Sequence, residues 1–234
     1  MLIQLNKEQS WPEGLTICEK TLYNWIEAGD IPDVTIKDLP RKGKIKRRKG
    51  QGKPRKHNNV KYAERSISKR PEHINNREEV GHWEGDTVYS NSKGSKECLF
   101  VLTERKSRYE IIMKMKDRTA SSVVNAVNKI EKRFGSSIFR KLFKRITFDN
   151  NVECANVEEL ERSVFSKKTK NSLYYAHPYC SSERGTNENH NGIIRRFLPK
   201  GTDFALIKQS QIEYIQTCMN MYPRKGRKTL RLEI

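Results

Sequence analysis

The chain has 234 residues, 35% of them hydrophobic and 32% charged, with 47 Lys and Arg against 28 Asp and Glu for a formal net charge of +19. That length accommodates one well-buried domain and a smaller appendage, and the positive excess favours a polyanionic partner, most often nucleic acid. No apolar run approaches the ~20 residues of a membrane span. Five scattered cysteines, with no CxxC pair, no Cys/His zinc spacing and no secretory signal, point to reduced thiols in the cytoplasm.

The charge is unevenly spread. Residues 1–40 carry three basic and seven acidic side chains, and residues 41–70 carry fourteen basic and one acidic. Residues 15–31 read as a short helix, with Leu22, Trp25 and Ile26 at helical spacing and Gly29 as a stop. It resembles the second helix of a helix-turn-helix, whose first helix would have to come from residues 1–14. Residues 1–39 are therefore expected to be a partial DNA-binding segment. Residues 40–70 are expected to be a basic linker, too poor in apolar side chains to offset the entropy of ordering it. Within it, Lys46, Arg47, Arg48 and Lys49 can lie along phosphates and release counterions.

A main domain is expected over residues 71–208. Its lead-in to Val80 is polar and irregular, broken at Pro71. From Gly81 strands and helices alternate. GHWEGDTVYS, ECLFVLTER and SRYEIIMKMK read as three strands joined by short loops, the first loop carrying the turn signal Asn91-Ser92-Lys93-Gly94. A helix spans Arg118–Phe134, with Val123, Val124, Val127 and Ile130 in phase and Gly135 as its end. A fourth strand covers Phe143–Phe148, a short helix residues 156–166, and a fifth strand Leu173–Ala176. The next helix, about Arg184 to Phe197, is stopped by Pro199 and Gly201. Such an order makes a mixed sheet with helices packed on it. A last amphipathic helix, Gln209–Met221, and a basic tail complete the chain as a separate segment, 209–234.

Three carboxylates come from three elements: Asp86 inside the first strand, Asp149 closing the fourth, and Glu188 on the helix after the fifth. An Asp among apolar strand residues is disfavoured unless something satisfies it. Phosphodiester chemistry needs such a set, because hard Mg²⁺ ions take oxygen ligands and keep positions for water and substrate. Two neighbours compete: Glu84 shares a strand face with Asp86, and Glu183 lies five residues before Glu188. Composition does not choose between them.

GHWEGDTV, ITFDNN and YYAHPYCSSERGTNENHNGIIRRFLPKGTDF together resemble the catalytic core of bacterial insertion-sequence transposases of the IS30 family, within the D-D-E superfamily shared with retroviral integrases. NNREEVGHWEGDTV and TERKSRYEIIMKMKDRTA extend the likeness over roughly residues 15–225. The resemblance implies an α/β, ribonuclease-H-like fold: a mixed five-stranded sheet with flanking helices, preceded by a small helical remnant of a helix-turn-helix. It places catalytic and metal-binding roles on Asp86, Asp149 and Glu188, with Mg²⁺ or Mn²⁺ as a pair of ions. It prefers Glu188 although 38 residues separate it from Asp149; a shorter spacing common in the family lands on Glu183.

The implied activity is strand cleavage and strand transfer at the ends of an insertion sequence. The partners are double-stranded DNA at element ends and target, and a second copy of the chain. Asn150, Arg184, Asn187, His190, Asn191 and Arg195 are expected to contact phosphate or orient ligands. Departures from the family pattern (Asp149-Asn150-Asn151 in place of Asp-Asn-Gly, a short amino end, an unusual carboxyl end) imply a shortened copy. The alternative they raise is a remnant that holds DNA without transposing. In either case deleting residues 41–57 should flatten the salt dependence of duplex binding, measured by titration at several salt concentrations. An unchanged slope would remove the linker from the interface.

Overall fold

The computed structural model describes residues 17–39, 64–89, 95–149, 156–166, 168–177, 180, 183 and 185–221. Most of the basic linker, the proposed first helix within 1–14, the Asn91–Gly94 turn and the basic tail lie outside them. The chain divides into two units, whose described parts are 17–39 and 64–221. In the first unit, helix α1 (Glu19–Ala28) starts where the Cys18 thiol accepts from the Thr21 amide. It ends at Gly29, whose φ of 84° few other residues tolerate. Ile26 is buried, whereas Trp25 is 38% exposed.

The second unit is built on a five-stranded sheet of order β3-β2-β1-β4-β5: β1 (His82–Tyr89), β2 (Cys98–Glu104), β3 (Glu110–Met115), β4 (Arg145–Phe148) and β5 (Ser172–Tyr175). The first three strands pair antiparallel, as their short connections require, and β1-β4-β5 pair parallel through helical crossovers. This order, with helices on both faces, is the ribonuclease-H-like arrangement expected from the sequence. The unit extends through α6 (Gln209–Met221), because Ile212, Ile215 and Met219 pack into its core. At the other end Arg65 and Ser66 join it: the Arg65 carbonyl accepts from the Tyr175 amide beside a Ser66–Tyr175 bridge.

Strand alternation sends residues to two cores. Trp83, Phe100, Leu102, Ile146, Phe148 and Leu173 pack under α2 (Ala120–Phe134), α3 (Ser136–Leu142) and α4 (Val157–Glu161). Thr119 caps α2 by accepting from the Ser122 amide. The sequence pattern stops correctly at Gly135 but overlooks α3, whose seven residues span too few turns to show a period. Phe139 lies within that helix and Phe143 caps its end; Phe139 stacks on Phe143 and Phe143 on Trp83, each at a centroid distance of 4.5 Å. Helix α4 is shorter than the 156–166 expected, because Arg162 turns extended and pairs with Thr169.

Val88, Leu99, Val101 and Ile112 face the other way, under α5 (Gly185–Phe197) and α6. Helix α6 also covers the open edge of β3. Asn220 accepts from the Glu110 amide (2.7 Å) and donates to its carbonyl (3.0 Å), and Gln216 accepts from the Ile112 amide (2.8 Å). An edge strand would otherwise present these groups to another chain.

At Gly85 a Cβ would stand 2.2 Å from the Phe148 ring, so this strand position admits only glycine at the observed strand separation. Gly85→Ala should therefore destabilise the fold by about 1–3 kcal/mol, read as a lower urea midpoint. The double variant with Phe148→Val should recover part of the loss. Additive losses would mean that the two positions are not in contact.

Candidate active site

Parallel pairing sets Glu84 opposite Thr147 and Gly85 opposite Phe148. The next position on each chain is an aspartate, Asp86 and Asp149, on neighbours about 4.8 Å apart. Both are half-buried. By alternation they belong to the face beneath α5, opposite to Phe148.

Helix α5 is fastened to that face at two consecutive residues. The Asn191 amide donates to Asp86 Oδ2 at 2.7 Å, while the Thr87 amide donates to Asp86 Oδ1 at 2.8 Å. His190 is buried, its Nδ1 2.7 Å from Glu110 Oε2, and the Thr103 hydroxyl donates to the other Glu110 oxygen at 3.0 Å. Glu188 is exposed and precedes Asn191 by three residues, so it lies on the same side of the helix, one turn from the Asp86 contact.

The competing acids are committed elsewhere. Glu84 is fully buried in an ion pair with the buried Arg105 guanidinium. Glu183 accepts from the His177 backbone amide at 2.8 Å and lies 2.7 Å from its ring Nδ1. The His177 ring in turn reaches the Ser66 and Ser68 hydroxyls.

Behind the aspartates runs a polar row that sequence reasoning missed. Tyr174, Thr147, Glu84, Thr103 and Glu110 stand in register across all five strands. Arg70 donates to Thr147 (3.1 Å) and to Asn75 (2.7 Å). Burial first, and then the positive charge of Arg105, push the Arg70 guanidinium down to about 10, against the opposing pull of Glu84. The same signal that marks Asp86, an acid inside an apolar strand, also marks Glu84 and Glu110. Their partners come from distant positions.

Of the other expected site residues, Asn150, Arg184, Lys46, Arg47, Arg48 and Lys49 lie outside the described residues. Asn187 is buried, as is His190, so neither presents a surface to phosphate. Both Asn187 amide atoms and Asn191 Oδ1 are buried without a hydrogen-bond partner in the protein, and buried polar atoms of this kind are commonly met by ordered water or an ion. Arg195 is half-buried and donates to the Tyr89 carbonyl, just beyond Asp86 on β1. The Arg118 guanidinium lies 3.8 Å from the centroid of the Tyr89 ring.

Among the described residues, one group of three possible metal donors has all its ligand atoms within 4.8 Å of one another: His73, Glu79 and His82. Asp86, Asp149 and Glu188 are not drawn together that closely.

No family model matches the chain. A "Probable transposase for insertion-like sequence element IS1161" of Streptococcus salivarius is 35% identical over 206 residues, covering 88% of this chain and 54% of that protein. Transposase InsI for element IS30C of Escherichia coli K12 is 36% identical over 159 residues, 68% of this chain and 38% of that protein. The chain thus spans about half the length, or less, of these relatives. Among solved structures, the HTLV-2 integrase catalytic core domain in complex with magnesium is similar at a TM-score of 0.44 and 22% identity, covering 63% of this chain and 91% of that one. Identity of 32–36% over 68–91% of the chain, together with the strand order, makes the chain similar to the transposases of several insertion sequences, those of IS30 elements among them.

Proposed function

We propose that this chain cuts and rejoins DNA as a transposase, with Asp86, Asp149 and Glu188 as its catalytic acids. The observation that carries this reading is the Asn191–Asp86 hydrogen bond, which ties the helix bearing Glu188 to the strand bearing Asp86. Asp149 is the next residue after the last paired position of the adjacent strand. The rival acids Glu84 and Glu183 already hold Arg105 and His177.

The donor set fits Mg²⁺ or Mn²⁺, two ions in this reading, because carboxylate oxygens suit hard cations. When bound, such ions lower the pKa of water and offset charge on the phosphoryl oxygens. The chain's own residues supply position. Asn191 fixes one oxygen of Asp86 and leaves Glu188 one turn away at the solvent boundary. Glu110 holds His190 and sets the height of α5 over the sheet. Arg195 and Arg118, at the end of β1, offer positive charge to the DNA backbone beside the acids. Arg184, Asn150 and the basic run Lys46–Lys49 are assigned to the same backbone.

In the first step water attacks a phosphodiester at the element end, and the 3′-oxygen leaves as a hydroxyl. In the second that hydroxyl attacks a target phosphodiester and displaces its 3′-oxygen, so no protein–DNA bond forms. Joining two ends calls for at least two copies of the chain on DNA.

Nicking of an end-containing oligonucleotide should require Mg²⁺ or Mn²⁺ and stop with EDTA. Asp86→Asn and Glu188→Gln should each reduce nicking by at least ~100-fold, beyond the loss typical of a supporting residue, with duplex binding retained. Glu183→Gln should leave nicking measurable. If Glu183→Gln abolishes it and Glu188→Gln does not, the third acid is Glu183.

His190→Ala removes the imidazole that faces the buried Glu110 carboxylate. It should lower unfolding free energy by about 3–5 kcal/mol, and His190→Gln, which keeps a donor, should lose less. Equal losses in the two variants would show that the hydrogen bond to Glu110 does not matter.

A further inference from the structure

A second group of donors lies away from the catalytic acids, at the opposite end of β1. His73 comes from a 3-10 turn (Glu72–Asn76), Glu79 from the lead-in to the strand, and His82 is the first residue of β1. Glu79 Oε2 is 2.8 Å from His82 Nε2 and 3.8 Å from His73 Nε2. The two rings are edge to face, their centroids 6.3 Å apart. The other Glu79 oxygen is taken by the Lys144 ammonium, which holds the carboxylate ionised and turned toward the imidazoles. His82 is four residues before Asp86, about 13 Å along the strand.

We propose that His73, Glu79 and His82 form a binding site for a transition-metal ion of the zinc class, separate from the catalytic acids. Metal–ligand bonds of about 2.0–2.1 Å in a tetrahedron put ligand atoms roughly 3.3 Å apart. The two separations to Glu79 bracket that value, and all three ligand atoms lie within 4.8 Å of one another. Two imidazoles and one carboxylate select zinc, cobalt or nickel, whereas the all-carboxylate set selects magnesium or manganese. His73 is 58% exposed, which leaves the fourth position open to water. Bound metal would pin the turn carrying His73 to the start of β1 and, through Lys144, to the residue before β4.

The test uses the full chain with its cysteines intact, in excess magnesium so that the carboxylates do not contribute to the signal. Co²⁺ is titrated by visible absorption, then displaced with Zn²⁺, and the thermal midpoint is read with and without Zn²⁺. The expected result is one equivalent of tetrahedral Co²⁺ without a thiolate charge-transfer band, and a higher midpoint with Zn²⁺. His73→Ala should weaken binding at least tenfold while leaving the metal-free midpoint unchanged, since that ring is exposed. Glu79→Ala should also lose the site. No binding, a thiolate band, or unchanged affinity in His73→Ala would each overturn the proposal. None of these outcomes depends on nicking activity.

Discussion

The parallel pairing of β1 with β4 governs the geometry of this protein. Where the two strands run side by side, Gly85 faces the ring of Phe148, and no larger residue fits. Closing the sheet over that glycine locks the register, and a slip of one residue would turn Asp86 away from the helix that meets it. Glycine ordinarily weakens a strand. Here its missing side chain lets an aromatic ring fill the core on one face while two aspartates take the next position on the other.

A sheet that puts aspartates under a helix must also balance the polar groups beneath them. The row behind the acids does so with Glu84 against Arg105, Glu110 against His190, and Arg70 against Thr147. Burying such pairs gains little stability over a well-packed apolar core. What the row provides is direction: each pair has one satisfying arrangement, and His190 belongs to the helix that carries Glu188. Together the His190–Glu110 and Asn191–Asp86 contacts hold α5 at one rotation about its axis, since two consecutive residues reach different strands.

Positive charge is distributed on a coarser scale. In the proposed function the dense basic run between residues 41 and 70 would add affinity for DNA through counterion release. The guanidinium groups of Arg195 and Arg118 are instead held at the end of β1, one by the Tyr89 carbonyl and the other over the Tyr89 ring. In that reading the first region would supply affinity along a polyanion, and the second would meet a single phosphate beside the acids.

Read alone, the amino-acid sequence determined the strand order, the helices other than α3, the stops at Gly29 and Gly135, and the oddity of Asp86, because periodicity, glycine conformation and an acid in an apolar strand are local properties. Family likeness favoured Glu188 as the proposed third acid, which composition had left open between Glu183 and Glu188. Only the tertiary structure decided what each charged side chain faces. It gave Glu84 to Arg105 and Glu183 to His177, turned His190 and Asn187 inward, and gathered His73, Glu79 and His82. The reason is that a buried charge is defined by its partner, and the partners of Glu84 and Glu110 lie 21 and 80 residues away along the chain. No pattern of nearby residues encodes such a distance; strand pairing creates it.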